Sequence, residues 1–152
     1  MSKLQLIGEI AMQLRLLQQS FDAFDEAAAA RLALNRTDLR CLDGVLADGP
    51  VTAGQISAAL KLSPAATTTV IDRLERAGMV TRSPDPDNRR RVLVTATDAA
   101  RTVESEIFAP VGLAGAQALQ RYGPDELAVI LDFLRTARAV QEDQATRLRS
   151  SS

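Results

Sequence analysis

The sequence predicts a mostly α-helical fold carrying one small β-hairpin. Alanine (25) and leucine (20), both strong helix formers, fill 45 of 152 positions. Apolar residues recur at intervals of three and four through most of the chain. One stretch, residues 79–95, switches to period-two alternation around a proline-rich turn. The length suits a single domain, residues 1–152, large enough to bury a core.

Residues 3–34 contain no proline and one glycine, and their apolar residues step through Leu4, Ile7, Ala11, Leu14, Leu17, Phe21, Phe24, Ala28 and Leu32. A helix of about 30 residues is ~45 Å long, whereas a domain of this size has a radius of gyration of only ~15 Å. An apolar stripe on such a helix needs a second chain to cover it, which predicts a homodimer. Two shorter helices broken near Ser20 to Asp25 would remove that need.

Three short helices with readable ends come next. Thr37-Asp38 opens one that carries Leu39, Leu42, Val45 and Leu46 and closes at Asp48-Gly49-Pro50. Thr52-Ala53-Gly54-Gln55 is a capping box, where hydroxyl and amide satisfy each other's orphan backbone donors, and starts a helix with Ile56, Ala59 and Leu60. Ser63-Pro64 gives an N-cap followed by proline at the first helical position. That helix runs through Val70, Ile71 and Leu74 to Ala77, with Gly78 as its stop. Met79–Ser83 then reads as a strand, residues 84–88 as a turn and Arg89–Thr95 as the returning strand. Pro84 and Pro86 cannot donate to a ladder, so they belong in the connection. Thr97-Asp98 starts a helix that Pro110, Gly112 and Gly115 should bend or interrupt. A last helix follows Tyr122-Gly123-Pro124, its buried face predicted at Leu127, Ile130, Leu131, Leu134 and Ala137.

Three helices followed by a hairpin make a winged helix-turn-helix. Residues 37–97 are expected to form that DNA-binding lobe, with residues 1–34 and 98–149 as dimerisation helices. In such a lobe the second helix of the motif lies in the major groove. Thr67, Val70 or Ile71, and Leu74 should point inward, leaving Ala65, Thr68, Thr69, Asp72, Arg73 and Arg76 outward. Thr68, Thr69, Arg73 and Arg76 are thus candidate DNA contacts, and Ser63 with the amides at the helix start suits a phosphate. Arg89, Arg90 and Arg91 put three cations beside a turn where no core wants them, and arginine suits the electronegative minor groove. Residues 61–101 carry eight basic against five acidic side chains although the whole chain has a net charge of −1, so the basic excess is local.

Composition excludes much else. With no histidine and one cysteine, the usual zinc sites and Ser–His or Cys–His dyads are ruled out, so no metal or cofactor is expected. Asp85 and Asp87 lie in a turn without nucleophile or phosphate loop, which argues against an enzyme. Five aromatic residues are too few for a base-stacking platform. No apolar run reaches ~18 residues, Met1–Ile10 does not read as a secretory signal, and a lone cysteine suits a reducing compartment. The expected location is the cytoplasm, with no membrane partner. Cys41 sits beside Leu42 and reads as an inward, inert thiol rather than a redox sensor. Phe21, Phe24 and Arg40 are candidates to line a ligand cleft, although aromatics at helical spacing are more often core.

The run TTTVIDRLERAGMVTR (Thr67–Arg82) and the following SPDPDNRRRVLVTAT resemble the core of the multiple antibiotic resistance regulator (MarR) family. The matching pattern is Asp72, Arg73, Leu74, Glu75, Gly78, Val80 and Arg82, and the likeness extends over the whole chain. The resemblance implies a homodimeric transcriptional regulator, usually a repressor, on palindromic double-stranded DNA, released by a small phenolic or anionic ligand. The family's wing usually carries Asp-x-Arg, where this chain has Asn88 and Arg90, so Asp87 is the expected substitute anchor. Ala96, Ala100 and Thr69 stand where Leu, Gly and Arg are common. The rival reading is a winged-helix protein–protein interaction module.

Overall fold

The computed structural model describes residues 1–150. Its elements are α1 (Lys3–Arg31), α2 (Arg36–Asp48), β1 (Val51–Thr52), α3 (Ala53–Leu60), α4 (Pro64–Arg76), β2 (Val80–Pro84), β3 (Val92–Ala96), α5 (Asp98–Val103), a π-helical stretch (Glu104–Phe108), α6 (Ala109–Leu119) and α7 (Pro124–Ser150). The fold is mostly helical with a small sheet. The backbone forms two compact units, Met1–Ile107 and the segment from Phe108 on.

In the first unit, α2 to β3 enclose one core. Leu39, Leu42, Ile71, Leu74, Val80 and Val94 are all 2% exposed or less. Local chemistry sets the element ends. Asn35 caps α2 in a reciprocal box with Asp38, a residue or two before the predicted opening at Thr37-Asp38. Thr52 and Gln55 make the predicted capping box of α3. Lys61 takes a left-handed conformation (φ 54°) in the tight turn from α3 to α4. After α4, Gly78 (φ 75°) donates to the Glu75 carbonyl and Met79 to the Leu74 carbonyl, a Schellman closure that only a residue at ease at positive φ makes cheaply.

Three expectations are corrected. The sheet has three strands in the order β1-β3-β2, not two, because Val51 and Thr52 pair with Val94 and Leu93. Pro84 is the last residue of β2, opposite Val92, tolerated because β2 is an edge strand. The returning strand starts at Val92, so Arg89, Arg90 and Arg91 belong to the turn.

α1 is unbroken over 29 residues, and only Ala28 and Ala29, near its end, are buried. Arg36 ties that end to α2 through Asp22 (2.9 Å) and Asp25 (3.6 Å). Leu4, Ile7, Leu17 and Phe21 stay 45–81% exposed. In the second unit, the predicted buried face of the last helix is not buried. Leu131 and Leu134 are each 47% exposed, and neither α6 nor α7 has a buried residue. Two helices with a short link have too little surface to enclose a core of their own.

Candidate nucleic-acid interface

The predicted interface residues come from α4 and the turn between β2 and β3. Ser63 caps α4, its hydroxyl accepting from the Ala66 amide at 3.2 Å, and Pro64 follows at the first helical position. That hydroxyl keeps its proton to donate to a phosphate. The amide cradle is thinner than expected, since Pro64 has no N–H and that of Ala66 is occupied.

Thr67, Val70, Ile71 and Leu74 point inward, all 3% exposed or less. The Thr67 hydroxyl donates to the Ser63 carbonyl (3.0 Å) and lies 2.6 Å from Ser57 Oγ, so Ser57 is the donor between them. This bond fixes α3 against α4. Thr68 and Thr69 are exposed, and each donates back to the helix, to Pro64 O (3.0 Å) and Ala65 O (3.1 Å). With those protons directed inward, each threonine offers oxygen lone pairs and a methyl to its surroundings. Such a surface suits an amino group on a base edge or a thymine methyl.

The arginines divide into two kinds. Arg73, expected outward, turns onto Asp38, with Nε 3.0 and 3.1 Å from the two carboxylate oxygens and Nη2 2.8 Å from Oδ1. Asp38 is 1% exposed, and its other donor is the Asn35 amide at 3.2 Å. A buried carboxylate needs a paired cation, and this need takes Arg73 out of the free set. Asp72 and Glu75 are gathered by Arg82 of β2, whose Nη2 lies 2.5 Å from Asp72 while Nη1 bonds Glu75. Arg76 is exposed and enters none of the ion pairs among the described residues.

The turn is organised by Asp85, 4% exposed, which accepts from the Asp87 amide (2.9 Å) and from Nε and Nη2 of Arg91 (3.0 and 2.7 Å). The Asp87 amide first, and then Arg91, hold the Asp85 carboxyl below its usual range. The anchoring carboxylate is therefore Asp85 rather than Asp87, and it holds Arg91 rather than Arg90. The Asn88 side chain accepts from the Arg90 amide at 3.1 Å, shaping the backbone in place of a charge clamp. Arg89 and Arg90 are left exposed at the apex, outside the ion pairs.

Cys41 is 2% exposed, and burial, then Asp38, pushes its thiol from 9.0 up to about 11. It is protonated at neutral pH and unreactive. A small, mostly apolar hollow, open to solvent, lies between α2, β1 and α3. Arg40, Cys41, Gln55 and Leu60 are among its lining residues, but Phe21 and Phe24 are not. The two phenylalanines sit on α1, and Phe21 is 60% exposed. Among the described residues no cluster of three or more acidic, cysteine or histidine side chains could hold a metal, and no helix is long and apolar enough to cross a membrane.

Asp38, Arg82 and Asp85 are the site residues whose roles sequence reading missed. Asn35-x-x-Asp38 does have capping-box spacing, which marks Asp38 as structural. Nothing in the sequence pairs it with a residue 35 positions away.

A family model described as the MarR family matches residues 34–92. YcgE, an HTH-type transcriptional regulator of Bacillus subtilis (strain 168), is 35% identical over 126 residues, covering 83% of this chain and 82% of its own. YkoM, of the same description and organism, is 32% identical over 103 residues, covering 68% and 67%. A MarR family protein from Bacillus stearothermophilus superposes with a TM-score of 0.68 at 20% identity, over 93% of this chain and 99% of that one, a likeness of fold.

Proposed function

This chain belongs to the MarR family of helix-turn-helix transcriptional regulators, and from that premise we propose that it represses transcription by binding palindromic operator DNA as a homodimer. α4 enters the major groove, where Thr68 and Thr69 read base edges and Arg76 and Ser63 meet phosphates. Arg89 and Arg90 reach the flanking minor groove. Arg73 and Arg91 act one step back, holding α4 and the turn through Asp38 and Asp85.

The observation that carries this reading is the division among the arginines. Buried Asp38 and Asp85 each take one arginine, Arg73 and Arg91, and Arg82 takes the half-exposed Asp72 and Glu75; on α4 and the wing apex this leaves Arg76, Arg89 and Arg90 exposed. Dimerisation is supported by the apolar side chains that α1 and α7 leave exposed, among them Leu4, Phe21, Val129 and Leu131. A two-fold dimer requires a two-fold operator with half-sites ~34 Å apart. Release by a small phenolic or anionic compound belongs to the same reading, supported by the apolar cavity with Arg40 on its wall. The place of action is the cytoplasm.

The test is fluorescence anisotropy with duplex DNA from the promoter of the protein's own gene, titrated with salt. Affinity should fall steeply with salt as phosphate contacts release counterions. Arg90→Ala should weaken binding to every duplex by roughly 10-fold at low salt. Thr69→Ala should change which operator is preferred. A chain indifferent to duplex DNA at low salt is instead a protein–protein interaction module.

A further inference from the structure

We propose that Arg82 controls DNA affinity without touching DNA, by cancelling the charge of two carboxylates that the reading helix carries; the inference rests on the DNA-binding reading above. Asp72 lies four residues after Thr68 and three after Thr69, so it shares their side of α4. Glu75 follows one turn later. Both acids are solvent-visible, at 46% and 42% side-chain exposure. Left alone, they would put two negative charges on the surface offered to a polyanion.

Arg82 reaches them from the neighbouring strand and gives one terminal nitrogen to each acid, Nη2 to Asp72 and Nη1 to Glu75. A guanidinium fork spans two carboxylates in this way, whereas the single nitrogen of lysine does not. The group of three then carries −1 instead of −2. The clamp also withdraws Asp72 from accepting a cytosine amino group, which a free aspartate does readily. Holding the fold together is a poor account of this contact. Leu74 and Val80, 0% and 1% exposed, and the closure at Gly78 already fix α4 to β2, and ion pairs this exposed add little stability.

The experiment compares the full-length chain with R82A, D72N/E75Q and D72N/E75Q/R82A, each checked for native helicity, binding one labelled duplex at low and high salt. R82A is expected to bind roughly 5-fold more weakly at low salt, the gap closing as salt screens the exposed acids. D72N/E75Q should bind several-fold more tightly than wild type, and the triple variant should return at least to wild-type affinity. If the triple variant stays as weak as R82A, Arg82 touches DNA or positions α4, and the proposal fails. Failure also follows if D72N/E75Q gains nothing, a result that decides the matter should R82A not fold. Binding by wild type with no difference among the variants overturns the charge cancellation alone, whereas a wild type that binds no duplex overturns the DNA-binding reading and this inference with it.

Discussion

The stretch from α2 to β3 and the segment from Phe108 onward draw on the same helix-forming residues but treat them differently. In the first, Leu39, Leu42, Ile71 and Leu74 are 2% exposed or less. In the second, Leu113, Val129 and Leu148 are 65–70% exposed, and no helical residue is buried. The contrast comes from element length and punctuation. Helices of 8–13 residues, separated by Gly49-Pro50, Lys61-Leu62 and Gly78, let the chain fold back and close a core. A 27-residue helix such as α7 cannot fold back on itself. Its apolar face has to be met by something else. Periodicity therefore identifies the face a helix offers and says nothing of what covers it.

Substitutions test this contrast, beginning with the largest effect. Leu42→Ala, at a fully buried position, should cost about 3–4 kcal/mol by urea denaturation. Asp38→Ala should cost about 2–3 kcal/mol, because the Arg73 guanidinium and the Asn35 amide lose a charged acceptor. A loss below 1 kcal/mol would mean that Arg73 finds another partner. A smaller effect comes from Cys41. Its thiol ionises near 9.0 in the unfolded chain and about 11 in the folded one. The unfolded chain thus gives up its proton first, and stability falls as pH rises from about 9 to about 11. Cys41→Ala should flatten that part of a pH–stability curve. The smallest effect on the core is expected from the pair Leu131→Lys and Leu134→Lys. Hydrogen exchange in α2 to α4 should be unchanged, while the proposed homodimer should come apart in sedimentation. Lost protection in α2 to α4 would show that the core depends on α7, and the contrast would break.

Much of α4 was legible in the sequence because its determinants are local. Ser63-Pro64, the inward Thr67 and Leu74, and the stop at Gly78 all follow from spacing within 16 residues, whereas Val70 and Ile71 were alternatives that the fold buries together. Strand β1 was not legible, since two residues are too few to show alternation and their pairing is fixed by β3, some 40 positions away. The roles of the arginines were hidden for the same reason. Arg73 and Arg76 look alike on a helical projection, and only the fold brings Asp38 beneath one of them. In the turn, three consecutive arginines suggested a continuing strand, but Asp85 closes the loop on Arg91 and delays the strand to Val92. Charged side chains are assigned by long-range neighbours, and those are what a local pattern lacks.

The order β1-β3-β2 leaves two strands with an open side. One is only two residues long, and the other ends at a proline with no amide to offer. Neither presents a long row of free N–H groups onto which another extended chain could add. The open sides of the sheet are therefore short and interrupted, and they give a second extended chain little length to pair along.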